Sequence, residues 1–418
     1  MFNGKHIKRM HFKLSPVGED TNRSGTPWVV SPPLTTKAIR QFEWQRIKTP
    51  FLFIFFSLLF LNCFSQMSTD KLLEQKLDSV FANIFNPNEP GGSIFIQQAD
   101  KILYSKSFGL SDLKRKIKYT SNTVQNLGSI SKTFVAYGIL ILQNDGKLSI
   151  DDNLLKYFSD FKNKEIAKKV TIRNLLTHTS GLPDSREIER DSVFYLTAKD
   201  QENWAPIKLT DSLNFEPGSN YEYSNPAYNG LALIIEKVSK IKWKDFIKKY
   251  IFGPAEMTNS KITDGSYPSK NVAHGYRKIN GHWEEYDYGE YPTFAASGNG
   301  GVWSSINDLR KYVDAIKRCS FTDCNTISLS ETPWHPANWN QETPPWTGLA
   351  WFNHKSYLHG VNPNEQYNVI EHDGDQGGFR AHLIMIPEPD ITIIWLTNNE
   401  KMITKPIWDL MLELGYVK

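Results

Sequence analysis

The chain predicts an α+β fold, with a mainly antiparallel sheet built from both chain ends, flanking helices, and a helical lobe between. Paired strand-like runs lie near each end of the 418 residues, and a long apolar run in the first half carries helical punctuation. Strands and helices do not alternate as a parallel βαβ series would require. With 40% hydrophobic and 13% aromatic residues the chain can bury a large core, and its length allows one large domain or two to three ordinary ones.

Residues 1–66 read as a leader and residues 67–418 as the folded domain. The leader holds nine Lys/Arg against three Asp/Glu, so the formal charge of +3 hides a body of −3. No basic stripe with interleaved aromatics remains in that body, which argues against nucleic-acid binding. The apolar run Phe51–Leu61 is 11 residues long. A membrane-spanning helix needs roughly 20 apolar residues and a signal-peptide core roughly 7–15. Cys63 and Ser65 stand where the small residues before a cut at Gln66 would be. The expected location is therefore outside the cytoplasm, periplasmic or extracellular. An uncleaved membrane anchor, a buried helix, or lipidation at Cys63 behind the awkward Asn62 are the alternatives. The stretch before the apolar run is long for a signal peptide, as an over-extended start would make it.

Cys63 goes with the leader, which leaves Cys319 and Cys324 either as a small disulfide loop in an oxidising compartment or as two thiols. No CxxC pair, His-rich tract or HExxH supports a metal site, and no metal or cofactor is expected.

After the leader, Leu72–Ile84 is amphipathic and helical, stopping at the Asn/Pro/Gly cluster Asn86–Gly92. Ser93–Gln98 and Ile102–Phe108 follow as a hairpin through Ala99-Asp100-Lys101, and Ala381–Ile386 and Ile391–Thr397 repeat that pattern around Pro387–Asp390. A last helix runs from about Pro406 to Leu414. Thr332–Trp346, rich in Pro, Trp and Asn, reads as a loop.

Gly128-Ser129-Ile130-Ser131-Lys132 precedes the apolar run Thr133–Leu142, which ends at Asn144-Asp145-Gly146. Glycine suits the position just past a helix, so the run is a largely buried helix with Ser129 at its N-terminal end. Free backbone N–H groups there face developing negative charge, and residues three apart share a helix face. Lys132 is thus within reach of the Ser129 hydroxyl. A serine is a weak nucleophile until a neighbour takes its proton, and a lysine can do so when burial depresses its pKa. Alone, the pair reads first as an N-cap serine followed by a solvated lysine, since so short a pattern recurs by accident.

Further motifs follow in order: Phe108-Gly109, Thr171–Leu182 around His178, Pro217-Gly218, Tyr223-Ser224-Asn225, Gly300–Ser305, and His372-Asp373-Gly374. With these the chain, from about Asp70 onward, resembles the serine β-lactamase and penicillin-binding-protein-like family, on its class C and esterase side. The resemblance implies a β-lactamase/transpeptidase-like fold with the active site between a sheet lobe and a helical lobe. By it, Ser129 matches the nucleophile, Lys132 its partner, Tyr223 the proton relay, and Asn225 a residue that orients substrate or Lys132. The backbone N–H groups of Ser129 and Asp375 match the oxyanion hole, with Gly374 allowing close approach. Read without the family, Tyr223-Ser224-Asn225 is an ordinary turn ahead of a helix Tyr228–Val238.

His372 departs from the lysine of the β-lactamase pattern. A histidine near its reference pKa of ~6.5 is mostly neutral at pH 7, so the pocket lacks a permanent cation and carboxylate recognition there weakens. His372 would instead donate a hydrogen bond to substrate or to Tyr223, or be a structural histidine at a strand edge. Arg380 reads as a surface salt bridge before a carboxylate binder. His178 invites a Ser-His-Asp triad, but in the resembling family its motif is a structural turn and the lysine–tyrosine pair fills the base role. The tryptophans of Thr332–Trp351 suit an aromatic substrate wall or loop packing.

The expected function is hydrolysis through a covalent acyl-enzyme on ester, amide or lactam carbonyls of a small-molecule or peptide substrate, in the manner of an esterase or D-aminoacyl peptidase. β-Lactamase or D-Ala-D-Ala carboxypeptidase activity, and a non-catalytic cell-wall-peptide or partner-binding role, are the alternatives. The sequence does not fix an oligomeric state.

Overall fold

The computed structural model describes residues 69–186, 192–264, 271–286, 295–349, 351–354 and 368–417. The predicted leader lies outside them. All belong to one compact unit, Phe60–Lys418.

Residues 69–84 form helix α1, where Leu73, Leu77 and Phe81 recur every fourth position and are fully buried. Strands β1 (Gly92–Gln98) and β2 (Lys101–Phe108) make the first hairpin. At the other end come β3 (Phe352–His354), β4 (Val369–Gln376), β5 (Phe379–Ile386) and β6 (Ile391–Thr397). They form one antiparallel sheet in the order β3-β4-β5-β6-β1-β2. The two chain ends meet in its middle, with Gly92 opposite Thr397.

β6 is buried along its whole length because both sheet faces are covered. Ile394 and Leu396 face the main core, whereas Ile393 and Trp395 face a second core formed with α1 and the C-terminal helix. Alternation on a strand sends successive side chains to opposite faces, so a continuous apolar run marks a strand covered on both.

Between the sheet halves lie helices α2 (Ser131–Asn144), α3 (Asn225–Ser239) and α4 (Ile306–Lys317), and the chain closes with α5 (Thr404–Glu413). In α2 every residue from Ser131 to Leu142 is buried, as an all-round apolar helix requires. Gly146 ends it with φ +68°, where Gly146 N–H bonds Gln143 O and Lys147 N–H bonds Leu142 O. Cys319 and Cys324 are joined as a disulfide, which decides between the two sequence readings. Thr332–Trp346 is irregular, as expected. Among the described residues no helix is long and apolar enough to cross a membrane.

Candidate active site

Two helix starts and one strand converge on Ser129. It sits in the 3-10 turn Gly128–Ile130 that leads into α2. Asn126 pins that turn, its Oδ1 accepting from Gly128 N at 2.6 Å while its Nδ2 donates to Gly300 O at 2.9 Å. The second start is that of α3, where Ser224 is the N-cap and accepts from Ala227 N. The helix begins at Asn225, three residues before the predicted Tyr228, so Tyr223 and Ser224 alone form the turn ahead of it, which delivers Tyr223 to Ser129. β4 passes along the third side, bringing His372, Gly374 and Asp375.

Ser129 Oγ accepts from Lys132 Nζ at 3.0 Å and from Tyr223 Oη at 2.8 Å. Lys132 is fully buried, and its amine also donates to Asn299 O at 2.9 Å. Burial, helped by the positive charge of Arg186 and opposed by Asp373, holds its pKa well below the ordinary lysine value. Stripping water from an ammonium is costly, and a lysine escapes that cost by releasing its proton. Burial likewise pushes the Tyr223 phenol up, so its proton stays on. The Lys132 amine also lies 5.0 Å from the Tyr223 ring centroid. With the lysine depressed and the phenol raised, the amine is the stronger candidate to receive the serine proton, and the phenol is a donor.

A buried polar chain fixes Lys132 from behind. Asn299 Nδ2 donates to Asn229 Oδ1 at 2.9 Å, and Asn229 Nδ2 donates to Asp200 at 2.6 Å. Asp200 also accepts from Trp243 Nε1, Ser297 Oγ and Gly298 N. Sequence reasoning missed Asp200, Asn229 and Asn299. The only signal near them is the small-residue run Ser297–Gly301, which overlaps one motif.

Gly128 and Gly374 let backbone meet backbone beside the nucleophile. A Cβ on Gly374 would fall 1.9 Å from Leu127 O, and one on Gly128, whose φ is +53°, would fall 2.7 Å from Asp375 N. The Ser129 turn and the Asp375 strand segment are thereby held together, as an oxyanion hole from these two residues needs.

His372 is buried, and its ring stacks on Phe352 at 4.7 Å. Its Nδ1 lies 2.6 Å from Asp373 O, a carbonyl that only accepts, so the proton is on Nδ1 and the neutral ring offers Nε2 as an acceptor. Burial lowers its pKa to about 4. The donor role expected toward substrate or Tyr223 does not fit this tautomer. Arg380 pairs with Asp375 at 2.6 Å and with the carbonyls of Gly377 and Phe379, the salt-bridge reading. Trp346 contacts Tyr221, Phe352 and His354, which places it in an aromatic layer beside the cleft.

His178 does not hydrogen-bond Ser129 among the described residues, as the base of a triad would; its Nδ1 accepts from Ser224 N at 3.0 Å and its ring stacks on Tyr223. A cavity of about 70 Å³ opens at Ser129, walled also by Arg186, Asn225, Asn299, Asp375 and Gln376. The Asn225 amide faces it without a hydrogen-bond partner among the described residues, so Lys132 is oriented by Asn299 and not by Asn225. Among the described residues no cluster of His, Cys, Asp and Glu could hold a metal ion.

A family model described as Beta-lactamase matches residues 70–415. The chain belongs to the beta-lactamase family. Members of this family are in general hydrolytic serine enzymes. This member is 28% identical over 341 residues to penicillin-binding protein 4* of Bacillus subtilis, covering 78% of this chain and 72% of that one. Its fold is similar to the octameric penicillin-binding protein homologue from Pyrococcus abyssi, at 26% identity and TM-score 0.65, over 82% of this chain and 77% of the other. It is also similar in fold to the D-amino acid amidase from Ochrobactrum anthropi SV3, at 21% identity and TM-score 0.67, over 84% and 99%.

Proposed function

We propose that this beta-lactamase family member is a serine hydrolase that forms an acyl-enzyme on Ser129, acting as an esterase or a D-aminoacyl peptidase. One observation carries the reading: Ser129 Oγ lies within hydrogen-bond distance of a fully buried amine and a phenol at once. In acylation the Ser129 proton passes to Lys132 Nζ as Oγ bonds to the carbonyl carbon, and the negative oxygen forms against the Ser129 and Asp375 N–H groups. As the carbon–leaving-atom bond breaks, Tyr223 gives its proton to the leaving atom and Lys132 restores the phenol. Water then attacks the acyl carbonyl, its proton goes to Lys132, and Ser129 departs protonated.

Neutral His372, where the β-lactamase pattern has a lysine, favours esters and amides over substrates recognised through a carboxylate at that strand. The D-amino acid amidase similarity is in keeping with an amide substrate. Export is proposed with the hydrolase, supported by the Cys319–Cys324 bridge, since disulfides persist in oxidising compartments.

The test is labelling with a fluorophosphonate followed by mass spectrometry, together with turnover of an ester and D-aminoacyl amide panel. An adduct on Ser129, and no turnover by Ser129→Ala, are expected. A chain that hydrolyses nothing and takes no adduct is a binding member of the fold.

A further inference from the structure

The cavity at Ser129 excludes Tyr223 and His372 from its walls. If the hydrolase reading holds, the leaving group departs on the Tyr223 side, where its proton comes from. The cavity then receives the carbonyl oxygen and the acyl chain. Arg186 shares that wall with Ser129, so the far end of a short acyl chain bound there meets it.

Arg186 supplies a charge to that wall. Its side chain is 4% exposed, whereas its counter-ion Asp184 is 40% exposed. Nε and Nη2 donate to the Asp184 carboxylate at 2.8 and 2.6 Å, and Nη1 donates to Asn203 Oδ1 at 2.7 Å. A guanidinium has five N–H groups, so two remain after these three bonds. Its field reaches the nucleophile's partner, because Arg186 is one of the groups that depress Lys132. The other charge on the wall, Asp375, is 63% exposed and bound by Arg380. A charge shielded from water acts more strongly on a ligand than one already in solvent. Beside Arg186, the Asn225 amide, without a hydrogen-bond partner among the described residues, offers two further donors.

We propose that Arg186 is a specificity-determining residue that selects substrates whose short acyl chain ends in an anion, such as half-esters or half-amides of a small dicarboxylic acid. The carboxylate takes the two spare guanidinium N–H groups with help from Asn225, which holds the scissile carbonyl over Ser129. This is a different place from the carboxylate recognition that His372 weakens, because it lies on the acyl side of the scissile bond.

The full chain is assayed with the 4-methylumbelliferyl half-ester of glutaric acid and with 4-methylumbelliferyl pentanoate, a neutral chain of equal length. The wild type is expected to prefer the half-ester. Arg186→Gln should lower the ratio of the two kcat/KM values roughly tenfold or more, mainly through KM, the scale of losing a hydrogen bond to a charged group. Asp184→Asn keeps the shape, removes the counter-charge, and should hold or raise the ratio. If Arg186 only anchors its loop, Arg186→Gln slows both esters equally and the unchanged ratio overturns the proposal. Wild-type preference for the neutral ester overturns it too, as does a fall in the ratio in Asp184→Asn. Fluorophosphonate labelling of Ser129 without turnover of either ester rejects the acyl preference alone. Neither turnover nor labelling rejects the hydrolase reading and this inference with it.

Discussion

The imidazole of His178 lies on the ring of Tyr223, with centroids 4.4 Å apart and planes 29° from parallel. His178 reaches this position with φ +57°, a left-handed conformation costing a non-glycine residue about 1–3 kcal/mol. Its Nδ1 also takes the Ser224 N–H, so one side chain fixes both the tyrosine ring and the backbone after it. His178 is thus a positioning residue for Tyr223.

Kinetics against leaving-group pKa test that role. Tyr223→Phe should lower kcat about 10²–10⁴-fold for alkyl esters and amides, whose leaving atoms need a proton, and far less for aryl esters. His178→Ala should show the same dependence on leaving group, and adding it to Tyr223→Phe should cost little more. Equal losses in His178→Ala and Ser129→Ala for every leaving group would instead indicate a triad.

Lys132 must be neutral to take the serine proton, and burial favours that neutral form. The kcat/KM profile should therefore rise on a pKa far below the lysine reference of ~10.4 and be level above it. Lys132→Arg, which carries a permanent charge and cannot release a proton, should slow acylation by roughly 10² or more. An acid limb near the ordinary lysine value in the pH–rate profile would sink this assignment.

Asp200 accepts from four buried donors, on Asn229, Trp243, Ser297 and Gly298. Asp200→Ala leaves all four unpaired and should cost about 3 kcal/mol or more in a denaturant titration. Because the chain through Asn229 and Asn299 ends on Lys132, the folded fraction should also acylate more slowly. A variant as stable and as fast as wild type would remove Asp200 from the support of the site.

Glu331 lines a groove together with Trp346 and His354 and pairs with no cation among the described residues. Burial raises its pKa to about 7. The folded state then keeps a proton that the unfolded chain has released, so stability is full below the ordinary carboxylate value and is lost as pH rises to about 7. The loss is at most roughly 3 kcal/mol. Glu331→Gln should match wild type in urea midpoint at pH 4 and exceed it at pH 8. Equal pH dependence in both proteins would refute the assignment.

The sheet was legible because its inner strands are apolar runs broken by turn residues, as in Ile391–Thr397. The nucleophile pair was legible because a spacing of three residues at a helix start sets its geometry locally. β4 was visible only as a motif: its run Glu371-His372-Asp373-Gly374-Asp375 is too polar to read as a strand. Pairing with β5 and the bonding of Glu371 to His354 and His382 supply what its own composition lacks. Arg186 left no sequence signal and Asn299 only the small-residue run around it, because one is held by Asp184 and Asn203 and the other meets Lys132 through its backbone carbonyl.

The neighbouring strands β1 and β6 join Gly92 to Thr397, segments made at opposite ends of synthesis. Closing so long a loop is entropically costly and slow, so the sheet cannot zip up while the chain is still growing. Until β6 is available, the strand β4 that must flank Ser129 has only β3 and β5 as scaffold, cut off from the rest of the sheet. The nucleophile is thus assembled last, and a chain cut short before β6 should be an unfolded, protease-sensitive polypeptide with no partial activity.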